Sequence, residues 1–120
     1  MIEKADPTVP IVIGGKERRL KYDFRAMVAF SKQTGKNLLD NKVVKQIIYD
    51  TTPEDLLVMF WAELLHEEKG LTVEDVAGWI TMENQPEVAR KTIEAWAAAM
   101  PEPKGGEKEK APLAKKPRAG

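Results

Sequence analysis

The chain has 120 residues, 42% of them apolar, with 19 Lys and Arg balanced by 19 Asp and Glu, one histidine and no cysteine. That length suits one small domain, the apolar share argues against disorder throughout, and the missing cysteine removes disulfides, thiolate nucleophiles and cysteine-held zinc together. No apolar run nears the roughly 20 residues that cross a bilayer, and the opening "MIEKADPTVP" lacks the apolar core of a signal peptide.

The balanced charge is unevenly spread. Residues 101–120 hold six Lys and Arg against three Asp and Glu, a net +3, which leaves −3 on residues 1–100. An acidic body with a basic tail is a poor footprint for nucleic-acid binding, which needs basic residues gathered on a folded face. The expectation is a cytoplasmic protein with no membrane contact.

Residues 1–8 read as a flexible leader. In "VPIVIGGKERRLKY", Val9, Ile11 and Ile13 alternate, Gly14-Gly15 supplies the positive φ angles of a two-residue turn, and Leu20 and Tyr22 alternate on the return. Pro10 suits a strand edge, since it has no amide to donate. A hairpin alone is marginally stable and must lie against other elements. Asp23 then caps a helix with Phe24, Met27, Val28 and Phe30 as its apolar stripe and Gly35 as its C′ residue. Leu38 and Leu39 cover its end, and Val43, Val44, Ile47 and Ile48 suggest a short helix.

The clearest start signal is "TTPEDLL", with Thr52 as N-cap, Pro53 at the first helical position, and Glu54 and Asp55 facing the positive dipole end. Leu56, Leu57, Phe60, Trp61, Leu64 and Leu65 keep helical spacing, and Gly70 is the expected stop. Thr72 caps another helix, with Asp75 three residues on, where Glu or Gln would reach back better. Val76, Trp79 and Ile80 are expected inward. Pro86 opens a last helix with Val88, Ala89, Ile93, Trp96, Ala97 and Met100 on one side, stopped by Pro101. The remaining Pro, Gly, Lys, Glu and Ala cannot bury enough apolar area to offset their ordering entropy. The expected fold is therefore mainly α (α+β): one domain over residues 9–100, an N-terminal β-hairpin packed on about five short helices, and a disordered C-terminal tail over residues 101–120.

Catalytic signals are weak. His66 lies roughly 140° around the helix from Trp61, off the apolar stripe, and only Glu63 stands at helical ligand spacing from it. One carboxylate and one imidazole do not make a metal site, so His66 reads as a solvated residue near the negative end of the helix. Gly14-Gly15-Lys16 lacks P-loop spacing and is followed by no helix. Glu63, Glu67 and Glu74 have no fixed separation and read as a charged outer face. The reading is no enzyme, no metal and no cofactor. The three tryptophans, Trp61, Trp79 and Trp96, suit core packing, but tryptophan is also enriched at interface hot spots. Phe60, Trp61 and Trp79 are the candidate partner-binding residues.

The order of these motifs resembles the tail assembly chaperones of long-tailed, siphovirus-like bacteriophages and prophages. The strand pair of the form I-x-I-G-G-K-x-x-x-L-x-x-D falls on Ile11, Ile13, Gly14, Gly15, Lys16, Leu20 and Asp23. The T-G-K-x-L stretch falls on Thr34, Gly35, Lys36 and Leu38-Leu39. The W-A-x-x-L-H and L-T-x-E-x-V stretches fall on Trp61, Ala62, Leu65, His66, Leu71, Thr72, Glu74 and Val76. The likeness covers about residues 9–82, and its departures are the charged pairs Arg18-Arg19 and Glu68-Lys69. It implies a non-catalytic chaperone that coats the tape-measure protein, keeps it soluble and helps bring tail-tube subunits to it. Such a chaperone works in the host bacterial cytoplasm, is absent from the mature virion, and leaves room for self-association. The alternative reading is a small helical regulatory or nucleic-acid-binding protein with a helix-turn-helix near residues 53–80. Its recognition segment, "VEDVAGWI", is acidic and has no Arg, Lys, Asn or Gln for base edges.

Overall fold

The computed structural model describes residues 7–100, so most of the expected leader and all of the expected tail lie outside the described residues. Strands β1 (Val9–Ile13) and β2 (Lys16–Leu20) pair antiparallel, with Val9 opposite Leu20 and Ile13 opposite Lys16. Gly14 and Gly15 join them at φ 62° and 84°, left-handed values that glycine adopts without a steric penalty. Strand alternation sends Val9, Ile11, Ile13 and Leu20 into the core.

Five helices follow: α1 (Phe24–Thr34), α2 (Asn41–Tyr49), α3 (Pro53–Leu64), α4 (Val73–Ala77) and α5 (Gln85–Ala99). Their starts follow the capping chemistry. Asp23 accepts from the Ala26 amide at 2.9 Å and Thr52 from the Asp55 amide at 3.1 Å. Thr72 and Asp75 complete a reciprocal capping box, with bonds of 3.0 and 3.2 Å. The shorter Asp side chain therefore does reach back. Gly35, at φ 78°, closes α1.

Helix α3 is the axis of the fold. Eight of its twelve residues are buried, because it packs on both sides. Leu56, Phe60 and Leu64 meet the hairpin, Leu71, Val76 and Val88 in one cluster. Val58, Met59 and Ala62 meet Tyr22, Ala26, Phe30, Leu38, Ile47 and Trp96 in a second, and Trp61 lies against both.

Several expected stripes are rotated or cut short. In α1 the buried residues are Ala26 and Phe30, while Phe24 is 69% exposed and Val28 39%. The entry from β2 sets this face: Tyr22 points inward, and Ala26 and Phe30 follow it at intervals of four. Leu38 is buried but Leu39 is exposed, and in α2 only Ile47 is fully buried. Helix α3 ends at Leu64, well before Gly70. Beyond it the chain tightens into turns, with the Leu65 and Glu67 amides bonding three residues back, to Ala62 and Leu64. In α5 the buried residues are Val88, Thr92, Ala95 and Trp96, whereas Ala97 and Met100 are exposed and Ala89 and Ile93 half-buried.

Candidate partner-binding groove

The N-terminal half of α3, the end of α4 with the turn that follows, and the first two turns of α5 enclose an open groove of about 530 Å³. Leu56 and Leu57 form one wall, Ala77, Ile80 and Met82 the second, and Ala89 and Ile93 the third. Its polar lining is confined to Thr51, Thr52 and Gln85, and no ionisable residue stands in the walls. Met82 is 92% exposed at the mouth, and Ile48 and Tyr49, just ahead of Thr51, carry exposed apolar surface toward it in sequence.

Local chemistry holds this shape open. Trp79 leaves the end of α4 for the hairpin, where the Arg18 guanidinium lies 4.1 Å from its ring centroid. Its ring packs so closely on Gly14 that a Cβ there would stand 2.6 Å from Trp79 Cε2. Thr81 and Asn84 then exchange bonds across the turn: the Thr81 amide donates to Asn84 Oδ1 at 2.8 Å and the Asn84 amide to Thr81 Oγ1 at 3.1 Å. Asn84 Nδ2 donates to the Trp79 carbonyl at 3.0 Å. With Trp79 committed to the hairpin and the turn pinned behind it, Ile80 and Met82 stand at the groove.

The proposed partner residues fall elsewhere. Phe60 is fully buried in the first core cluster and has no surface to offer, because α3 is covered on that side by the hairpin. Trp61 is half-buried and donates from Nε1 to the Leu71 carbonyl at 2.9 Å. Trp79 is half-buried against Gly14 and Arg18. None of the three lines the groove. The groove residues were visible in the sequence as an excess of apolar positions: Leu57, Ala89 and Ile93 widen their stripes beyond what one inward face absorbs. Met82 carried no periodic signal.

His66 is not a solvated helix end. It follows α3 in the turn, and its Nε2 donates to the Arg19 carbonyl at 2.7 Å, fastening that turn to β2. The Arg19 amide donates to Glu67 Oε1 at 3.2 Å beside it. Arg18 is buried and uses its whole fork: Nε donates to the Ile13 carbonyl at 2.9 Å, one terminal nitrogen to Glu68 at 2.8 Å, the other to the Gly14 carbonyl at 3.3 Å. Arg18 and Glu68 each belong to one of the two charged pairs, Arg18-Arg19 and Glu68-Lys69, and they meet. Lys36 of the T-G-K stretch donates to the buried Asp55 carboxylate at 2.7 Å and to Gln46 at 3.0 Å, joining the ends of α1, α2 and α3 over a polar pocket of about 330 Å³.

Glu63 does not belong to a charged outer face. Its side chain is fully buried, and neither carboxyl oxygen has a hydrogen-bond partner among the described residues; the same holds for the Tyr22 hydroxyl and Thr92 Oγ1. Burial pushes the Glu63 carboxyl well above the usual carboxylate range. Burial first, and the neighbouring Glu63 charge second, push Tyr22 up to about 12. Among the described residues no three His, Cys, Asp or Glu converge as metal ligands, and no helix is long and apolar enough to cross a membrane.

Comparison with known proteins identifies no relative of this chain: no protein-family model, no curated protein and no solved structure matches it. The fold is nonetheless clear, a two-stranded antiparallel hairpin on five helices.

Proposed function

We propose that the chain is a tail assembly chaperone of a long-tailed bacteriophage or prophage. It binds and coats the tape-measure protein, helps recruit tail-tube subunits during assembly, and performs no catalysis. It acts in the host bacterial cytoplasm and is left behind when the virion is complete. The observation that carries this reading is the open apolar groove between α3, α4 and α5, read together with the motif order over residues 9–82. A groove walled by helices is a common receptor for the apolar face of another helix. A tape-measure protein is a long helical chain with many such faces. Many copies, each held weakly, would cover it by avidity and come off as the tube polymerises, with no chemical energy spent.

The regulatory or nucleic-acid reading draws less support from the same geometry. Its recognition helix would be α4, which is only five residues long and carries Glu74 and Asp75 in its first turn.

The test is co-expression. The tagged chain is produced together with the longest helical reading frame downstream of its gene. A soluble complex that co-purifies supports coating. A partner that stays insoluble with the chaperone present counts against it.

A further inference from the structure

The groove has a second property, visible in the charges around its mouth. Asp50 precedes the lining residue Thr51, Glu83 follows Met82, and Glu74 stands one turn before Ala77 on α4; Glu54, which follows Pro53, lines the neighbouring pocket with Lys36 instead. All three are exposed, and none of their carboxylates joins an ion pair or hydrogen bond among the described residues; the Asp50 carbonyl accepts from Gln46 Nε2 at 2.9 Å. The bases adjoining the α5 wall are engaged: Arg90 reaches Glu94 at 4.0 Å, and Lys91 meets Glu87 at 3.6 Å and the Pro10 carbonyl at 2.8 Å. Three carboxylates without an ion-pair partner among the described residues therefore stand next in the chain, or one turn away on α4, to residues of the apolar walls.

We infer that the groove takes the apolar face of an amphipathic helix in a partner protein whose flanking positions are lysine or arginine. This rests on the binding role proposed above and adds the chemistry of the bound segment. The α5 wall runs from Gln85 to Ile93, about 12 Å at the helical rise, so it accepts roughly two turns with anchors at i, i+3 or i+4, and i+7. Apolar walls without convergent polar groups give a small ligand no means of orientation. Lysine or arginine flanking the anchors would meet Asp50, Glu74 and Glu83 beside the groove. An acidic helix would meet repulsion at the same places, so the mouth selects among helices that the walls alone would accept equally. The chain's own basic segment, residues 101–120, has one large apolar residue, Leu113, and cannot supply two turns of anchors.

The experiment uses two synthetic helical peptides of about 18 residues, with the same leucine face but lysine or glutamate on the polar face. Binding of each to the full chain is followed by fluorescence anisotropy at about 50 and 300 mM salt. The lysine peptide should bind at least about tenfold more tightly than the glutamate peptide at low salt, with the advantage shrinking at high salt. Replacing the three carboxylates together (Asp50→Asn, Glu74→Gln, Glu83→Gln) should abolish the preference. Met82→Glu, at a side chain that takes no part in the core, and Ala89→Trp, which fills the groove, should each weaken the lysine peptide by about tenfold or more. Leu113→Asp should change nothing. Equal affinity for the two peptides overturns the inference, as does binding by neither. So does lysine-peptide binding indifferent to both Met82→Glu and Ala89→Trp, or a tenfold gain from Leu113→Asp, which would give the groove to the chain's own tail. Each of these leaves the co-expression result, and with it the coating role, to stand or fall separately.

Discussion

Gly14 and Gly15 look alike in the sequence and differ sharply in the fold. Both need positive φ, but only Gly14 has an indole ring where its Cβ would be. Gly14→Ala adds a clash that Trp79 can relieve only by leaving the Arg18 guanidinium, so it should destabilise by about 2–4 kcal/mol. Gly15→Ala meets nothing within 4 Å and should cost only about 1 kcal/mol of backbone strain. Urea melts of the two variants would show the gap, and equal losses would mean that Trp79 does not rest on the turn. Glu63 is the other residue whose role appears only in three dimensions. Inside the fold it keeps its proton at pH values where the unfolded chain has lost it, so the native state binds more protons. Its contribution is therefore complete below the unfolded carboxylate range, near pH 4.3. It declines as pH rises above that, by at most about 1.4 kcal/mol per pH unit, until the folded carboxyl itself ionises. Glu63→Gln should flatten this slope and be the more stable protein at pH 8, measured by urea unfolding between pH 4.5 and 8. Parallel curves for the two proteins would mean that Glu63 is ionised throughout. Neither role was legible from spacing. A glutamate at position 63 follows the pattern of an outer face until the fold is known to bury it beside Tyr22.

At the level of elements, the hairpin and the starts of α1, α3 and α4 were legible because each is decided locally, by alternation, by a Gly-Gly turn and by caps at Asp23, Thr52 and Thr72. Helix α5 is marked by Pro86 rather than a cap, since Asn84 makes no side-chain cap bond, and the Asp40 cap of α2 was not singled out. What was not legible came from contacts distant in sequence. Helix α3 stops at Leu64 because the turn after it is bonded to β2 through His66 and Glu67, more than forty residues away. The inward side of β2 carries an arginine because the Ile13 and Gly14 carbonyls, Glu68 and Trp79 together receive it. All three sides of that guanidinium are used, so lysine cannot replace it. Arg18→Lys should destabilise by about 1–3 kcal/mol and shift tryptophan emission as the ring over Gly14 loses its cation. An unchanged melt and spectrum would show that charge alone suffices there.

For the whole molecule, the hairpin covers one side of α3 and α5, and a groove is left open between α3, α4 and α5. The candidate residues Phe60, Trp61 and Trp79 were chosen for size and aromaticity, and large side chains are also the ones a small core needs. Phe60 went to the core, while Trp61 and Trp79 serve as braces between elements. The groove is built instead from residues of moderate size, several of them only half-covered; their excess in the stripes is visible in the sequence, but which of them stay uncovered is set by helix placement. The coating role makes a claim about mass. It predicts that the soluble complex formed on co-expression with the tape-measure partner, weighed by light scattering after size exclusion, contains many copies of this chain per partner chain. That number should fall when Ala89→Trp fills the groove. A complex with a single copy per partner, or a mass unchanged by closing the groove, would contradict it.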